Sequence, residues 1–344
     1  MSEPLTIVGG GLAGLALGIG LRQRGVPVAL WEAGRYPRHR VCGEFISGSG
    51  QDSLDRLHLL NAIQNAGACS ATTAAFFSGE EKTPTRPLPK SALCISRFAL
   101  DELLAAEFRR LGGELRTGER WTGGFGAGIV RASGRRAVAT ADGWRLFGLK
   151  VHARGVAMAA DLELHFVPAG YVGLCRLSDG RVNVCGLFRS ETTVPGLSQN
   201  WRAWLRGPAG SALHSRLADA QWDEASFCSV AGFSLRPQRA AASDECRVGD
   251  ALTMIPPLTG NGMSMAFESA ELALEPLAKF SRGELAWAQA QQQIARDCDE
   301  KFTRRLRWAG LFQRVLFQPT ARAALMFLTA RSERIWRGAF GRTR

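Results

Sequence analysis

Apolar and polar positions follow two different periods along this chain. Leu5–Val8 is a short apolar run that reads as a buried strand, Leu12–Arg24 carries helical spacing, and Val28–Trp31 is a second apolar run ending on Glu32. Pro27 stands at the head of that second strand, where a missing amide does little harm. Leu54–Ile63, Leu100–Leu111 and Met263–Leu274 also have helical spacing, the last expected to stop before Pro276. The middle of the chain shifts to strand patterns: Phe147–His152, Leu162–Phe166, Tyr171–Leu177 and Arg181–Phe188, with Ser178-Asp179-Gly180 as a hairpin turn. Residues 286–344 return to helical spacing, interrupted near Pro319. No internal repeat or low-complexity tract is visible.

The join between the first strand and the first helix is Gly9-Gly10-Gly11-Leu12-Ala13-Gly14. Gly9 allows the tight turn, Gly11 lets the backbone approach a pyrophosphate, and Gly14 lets helix and strand pack closely. The unpaired amides at the start of the helix, around Leu12 and Ala13, face the phosphates. Glu32 lies eighteen positions after Gly14, with Ala33 beside it, where a carboxylate can accept from an adenosine ribose. An acid there suits an unphosphorylated 2′-hydroxyl, so FAD or NAD is expected in place of NADP. A glycine-rich turn alone is weak evidence; strand, helix and acid together are strong.

Composition narrows the class. The chain has 344 residues and 46% hydrophobic content, enough for two domains or one large body with an inserted sheet. The uncharged run Ile7–Leu21 lacks a preceding basic region and is too short to span a bilayer, so neither a targeting segment nor a membrane span is expected. Eight cysteines (42, 69, 94, 175, 185, 228, 246 and 298) form no CxxC pair and no metal-spaced cluster with His. Buried thiols in a reducing cytoplasm, and no metal, are the expectation. Net charge is +12, and residues 301–344 hold Lys301 and ten arginines against Glu333 alone, a net +10. The body is therefore near neutral, and a nucleic-acid partner is not expected. The tail reads either as a helical cap with a solvated arginine face or as a basic amphipathic surface for anionic lipid at the inner face of the membrane.

Val248-Gly249-Asp250-Ala251, then Ile255-Pro256-Pro257 and Gly260-Asn261-Gly262-Met263, opens the last internal helix. This block resembles the GD…P…GxG(M/I) signature of two-dinucleotide-binding flavoproteins, from aromatic hydroxylases to geranylgeranyl reductases. The resemblance implies non-covalent FAD, with Asp250 at the ribityl chain or pyrophosphate. It also implies that the turn spanning Pro257 to Met263 brings helix amides to the flavin pyrimidine, where a positive helix end stabilises charge on the reduced ring. Arg38-His39-Arg40-Val41-Cys42-Gly43-Glu44 is similar to the (K/R)xCGE loop near the isoalloxazine in the reductase branch, which implies FAD contacts for Arg40, Cys42 and Gly43. Ser96–Asp101 with Leu104 is similar to RxxLDxxL, whose arginine, here Arg97, contacts FAD. Thr140-Ala141-Asp142-Gly143 resembles the (A/G)DG motif, and Leu164–Tyr171 resembles an FPxG segment beside a hydrophobic substrate tunnel. The overall likeness is to FAD-dependent oxidoreductases that accompany lipid-like polyketide or quinone pathways.

The fold implied is α/β with an α+β substrate sheet. A Rossmann-like FAD domain (1–70, 97–143 and 244–285) interleaves with an antiparallel substrate domain (71–96 and 144–243), and a basic helical segment (286–344) follows. This sequence departs from the pattern in three places. Asp142-Gly143 runs almost directly into the next strand, Leu252-Thr253 replaces the histidine often found after GDAA, and no WxWxIP is present, since Trp201-Arg202-Ala203-Trp204 lacks Ile-Pro. The last departure argues against a flavin halogenase.

Among side chains that could act beside a flavin, Cys42 delivers a proton or fills a small apolar gap. Glu44 binds the flavin or a backbone group, or is a plain loop carboxylate. His152 and His165 face the pocket or serve structure, and Tyr171 orients a phenol or carbonyl. Arg38 and Arg40 meet the pyrophosphate or stand exposed. Two reactions remain open: an NAD(P)H-using monooxygenase of a lipophilic phenolic, polyketide or quinone-like molecule, favoured narrowly, and a reductase of isoprenoid-type double bonds. A non-catalytic flavin-carrying partner is the third reading. With no second GxGxxG in the chain, NAD(P)H is expected to dock only transiently.

Overall fold

The computed structural model describes residues 2–135, 143–197 and 199–342. The chain opens as β1 (Leu5–Val8), α1 (Leu12–Gln23) and β2 (Val28–Glu32), then β3 (Phe45–Ile46), α2 (Gly48–Arg56) and α3 (Leu60–Asn65). Strands β4 (Cys69–Ser78), β5 (Glu81–Lys82) and β6 (Arg86–Cys94) precede α4 (Arg97–Arg110), β7 (Glu114–Thr117) and β8 (Ile129–Arg131). Next come β9 (Arg145–Arg154), β10 (Leu162–Val167), β11 (Gly170–Arg176), β12 (Val182–Ser190), α5 (Trp201–Arg206), α6 (Ala212–Arg216) and β13 (Gln221–Ala231). The chain ends with β14 (Cys246–Arg247), α7 (Gly262–Ser281), α8 (Trp287–Phe317), α9 (Pro319–Arg331) and α10 (Glu333–Gly341).

Five strands form a parallel sheet in the order β14-β8-β1-β2-β7. From Leu12 to Leu21 helix α1 is apolar and buried on every side. Gly18 and Gly20 let neighbours close in, since a Cβ would lie 2.7 Å from the Phe108 ring of α4 or 2.6 Å from Leu274 of α7. The second sheet is mostly antiparallel, in the order β13-β9-β12-β11-β10-β4-β6-β3. Its register pairs Phe166 with Tyr171 around the tight turn between β10 and β11. The interior of the molecule divides into a large cluster around α1 and α7 and smaller clusters on the two faces of the second sheet.

Two helix boundaries differ from the sequence reading. The helix expected over Leu54–Ile63 is broken at His58, which takes φ 57°, so α2 ends and α3 starts afresh. Helix α7 runs through Pro276 to Ser281. An interior proline costs a helix about 3 kcal/mol, but α7 is buried against α1, α2 and α8, and that packing outweighs the local penalty. The break between α8 and α9 does fall at Pro319, the first residue of α9. Among the described residues, no helix is long and apolar enough to cross a membrane.

Candidate functional site

The nucleotide cradle forms where β1 meets α1. Gly9 has φ +115°, and a Cβ there would lie 2.3 Å from the Ala132 carbonyl oxygen; one on Gly14 would lie 2.0 Å from the Gly9 carbonyl oxygen. At Gly11, by contrast, a Cβ meets nothing within 4 Å. The backbone is thus crowded on the protein side and open on the outer side. Helix α1 has no side-chain cap, so the first-turn amides around Leu12 and Ala13 are left for a ligand. Glu32 is buried, accepting from the Gly10 and Gly34 amides at 2.8 Å each. Arg38 reaches it at 2.7 Å and Arg40 at 3.6 Å, while Ala33 beside it is exposed. The two arginines therefore gather on the Glu32 carboxylate.

The second half of the cradle is the turn into α7. Gly249 takes φ +62°, donates its amide to Ser269, and packs so closely on Ala13 that a Cβ would lie 2.7 Å from it. Asp250 follows, its carboxyl pushed above the ordinary range by burial despite the nearby Arg135 and Arg97. Pro257–Gly260 turns the chain, Gly260 at φ +65° against the Phe45 ring. The Asn261 side chain accepts from Ser47 at 2.5 Å, fixing α2 to α7, and Met263 is buried. Gly262, the first residue of α7, has no atom within 4 Å of an added Cβ, and α7 has no side-chain cap. Two uncapped helix starts, each with a glycine facing open space, fit the pyrophosphate and the flavin of FAD.

Arg97 of α4 holds Asp101 through two bonds of 2.7 and 2.8 Å, and Arg40 approaches the same carboxylate at 3.3 Å. The Arg97 guanidinium also neighbours the Cys42 thiol. Burial pushes that thiol above its ordinary range, outweighing Arg97 and the Glu44 amide, which lies 3.5 Å from the sulfur. Asp142 lies outside the described residues.

Beside the cradle is an apolar cavity enclosing about 1380 Å³ of empty space, mouth included. Cys42, Gly43 and Pro257–Thr259 line it on the cradle side; Phe76, Leu164, Tyr171 and Leu187 come from the sheet; Phe312, Leu316, Leu325 and Phe340 come from α8, α9 and α10. The Tyr171 hydroxyl is buried near the Leu258 backbone and the Gln313 amide, and neither side chain makes a well-formed hydrogen bond. Burial holds this hydroxyl well above the ordinary phenol range.

A second polar group lies between the Cys42–Glu44 loop and the sheet. Glu44 is fully buried at φ 60° and takes the Arg97 amide at 2.9 Å, His152 Nε2 at 2.6 Å and the Lys150 ammonium at 3.3 Å. Lys150 is itself fully buried and donates to His39 Nδ1 at 3.1 Å. Burial together with Lys150 and His152 pushes His39 down to about 4, so it is neutral at physiological pH. Burial raises the Glu44 carboxyl, but the His152 bond and the Lys150 charge outweigh it and leave it below the ordinary range.

The structure brings Cys42, Gly43, Tyr171 and Pro257 to one cavity and places the two histidines elsewhere. His165 is buried, hydrogen-bonded to Glu163 at 2.8 Å and stacked on Phe77, and does not line the cavity. The strand alternation is the reason: Leu164 and Phe166 face the cavity side, so His165 faces away. His152 is consumed by Glu44. The sequence reading did not single out Lys150, beside Glu44, Arg135, which lines the cavity, or Gln313, near the Tyr171 hydroxyl. A single lysine inside the apolar run Phe147–Val151 was the available signal for the first. Gln313 offered none, because helix packing alone sets its neighbours. Trp201 and Trp204 pack on the far face of the sheet against Phe227, Phe147 and Phe188. All eight cysteines are unpaired; four are buried and four half-buried.

No family model matches the chain. Over 121 residues, 32% of its length, it is 27% identical to Conditioned medium factor receptor 1 of Dictyostelium discoideum, a match that spans only 24% of that protein. Solved structures align over nearly the whole chain. The flavin-dependent halogenase CmlS aligns at TM-score 0.72 and 17% identity over 92% of this chain and 64% of CmlS, less than two thirds of it. The flavin-dependent brominase Bmp2 aligns at 0.68 and 18% over 95% of this chain and 94% of Bmp2. P. aeruginosa PqsL in complex with 2-aminobenzoylacetate aligns at 0.71 and 16% over 94% of this chain and all (100%) of PqsL. With its glycine cradle and α7 turn, the chain has the fold of the FAD-dependent oxidoreductases.

Proposed function

We propose that this protein is an FAD-dependent monooxygenase that uses NAD(P)H as a transient reductant and acts on a lipophilic phenolic, polyketide or quinone-like molecule. The observation that carries this reading is the apolar cavity, which runs from the Cys42–Gly43 loop and the Pro257–Thr259 turn to a lid of three C-terminal helices. FAD, when bound, would supply the two-electron redox step; the protein supplies position, electrostatics and water exclusion. The α1 amides, with Gly11 open before them, would hold the pyrophosphate, and Glu32 the ribose. The uncapped start of α7 would place its positive end toward the ring. Tyr171 offers a polar anchor on a largely apolar wall, with the Gln313 amide near its hydroxyl, so a substrate with one phenol or carbonyl would be oriented there. Helices α8 to α10 keep bulk water from the reacting atoms.

Reduction of an isoprenoid-type double bond is the second reading, favoured by Cys42. Its thiol lines the cavity and is held protonated by burial, as a proton donor must be. Rapid mixing of photoreduced holoprotein with oxygenated buffer, with and without trial lipophilic phenols, separates the two. Reoxidation through a long-lived absorbing species, with an ¹⁸O-labelled product from ¹⁸O₂, supports the monooxygenase. Direct reoxidation with no label in any product, and saturation of a polyprenyl substrate, would replace it with the reductase.

A further inference from the structure

We propose that the outer face of α9, together with α10, is a docking surface for an anionic lipid bilayer. Helix α9 is a wall one helix thick. Its inner side supplies Leu325 and Thr329 to the cavity and Met326 to the cluster around Tyr171. Arg86 of β6 fixes it there, donating to the Thr329 and Ala330 carbonyls at 3.2 and 2.6 Å, and buried Trp336 anchors α10 by donating to the Pro87 carbonyl at 3.2 Å.

The outer side of a helix on a water-soluble protein is ordinarily polar. Here Ala323, Ala324, Phe327, Leu328 and Arg331 form one exposed face at spacings of one helical turn. Phe327 is 53% and Leu328 47% exposed, and Leu311 of α8 and Ile335 of α10 are also exposed. Four of the five large hydrophobic side chains exposed among the described residues therefore lie on these three helices. Arg314, Arg331, Arg334 and Arg337 are exposed among them, with Glu333 the one acid in residues 301–344.

This charge pattern selects the occupant. A second copy would bring the same cations against themselves, whereas an anionic headgroup layer neutralises them while the acyl boundary takes Phe327 and Leu328. Arg305 takes no part, since it is buried on Glu268 at 2.8 and 3.0 Å. Docking places the cavity one helix away from the bilayer, so a lipophilic substrate reaches it without crossing water; this delivery step, though not the docking, rests on the function proposed above.

Flotation of the full-length, FAD-loaded protein with phosphatidylcholine vesicles, plain or containing about one third phosphatidylglycerol, tests the surface. The wild type is expected to float with the anionic vesicles only and to be released by about 0.5 M salt. The double variant Phe327→Ser/Leu328→Ser, with an unchanged melting temperature because both side chains are exposed, is expected to bind about tenfold more weakly or less. Absence of flotation with anionic vesicles overturns the proposal. Undiminished flotation of the variant, or a dimer on gel filtration that the variant abolishes, overturns it too. Flotation is read without turnover, so its failure leaves the flavin reaction untouched.

Discussion

Glu44 Oε2 lies 2.6 Å from His152 Nε2, joining the loop after β2 to a strand 108 residues further along the chain. With Lys150 and the Arg97 amide, this bond holds the Cys42–Gly43 backbone against the sheet that carries the cavity. The loop bears a left-handed, non-glycine residue at Glu44, which costs about 1–2 kcal/mol and persists because the buried partners fix it. Removing the carboxylate leaves the buried Lys150 ammonium without its charged partner. We expect Glu44→Ala to lose about 3–5 kcal/mol of stability in denaturant unfolding. A loss below about 1 kcal/mol would mean that Lys150 finds another partner.

Acid should loosen the same junction. His39 is pushed down to about 4 in the fold against 6.5 for the free side chain, so the stability it supports is complete above pH 6.5 and is lost progressively toward 4. Glu44 adds to this at lower pH, since its contribution is present above the unfolded value of 4.5 and is lost as pH falls through its depressed folded value. Melting temperature should fall from about pH 6.5 downward, and His39→Gln should remove the upper part of that fall. A flat profile from about pH 6.5 to 5 would show that His39 titrates normally.

Gly11 and Gly14 separate cofactor binding from folding. A methyl on Gly11 meets nothing, so Gly11→Ala should leave the melting temperature of the flavin-free protein within about 1 °C while sharply reducing FAD retained after desalting. A methyl on Gly14 collides with the Gly9 carbonyl, so Gly14→Ala should destabilise the flavin-free protein as well. Full flavin content in Gly11→Ala would place the pyrophosphate elsewhere.

Tyr171→Phe tests the polar anchor. A buried hydroxyl without a well-formed bond costs about 1–3 kcal/mol, so its removal should leave stability unchanged or raised. The same variant should raise KM for the lipophilic substrate more than it lowers kcat. Destabilisation with unaltered KM would make Tyr171 a packing residue.

Cys42 should resist alkylation. Its thiol is pushed up by burial, so iodoacetamide at about pH 8 should modify the Cys42 peptide at least about tenfold more slowly than a free cysteine peptide. Rapid labelling, read by mass spectrometry, would indicate a thiolate and remove the proton-donor role.

The sequence alone determined what depends on local spacing. Gly9-Gly10-Gly11, Gly14 and Glu32 are bound together by the fixed geometry of a strand, a turn and a helix, whereas the Gly249–Met263 block is legible through its resemblance to a flavoprotein signature. Tyr171 stands out as one of only two tyrosines in the chain, not by any spacing. Tertiary structure decided everything that rests on contacts between distant segments. His165 and Tyr171 lie on adjacent paired strands, yet one turns toward Glu163 and the other toward the cavity. Pro276 stays helical because α7 is buried against α1, α2 and α8. Lys150 became part of the site only when Glu44, more than a hundred residues earlier, came within 3.3 Å. The basic tail became a lid over the cavity for the same reason: its charge was legible in the chain, but which of its faces is buried was fixed by the sheet beneath it.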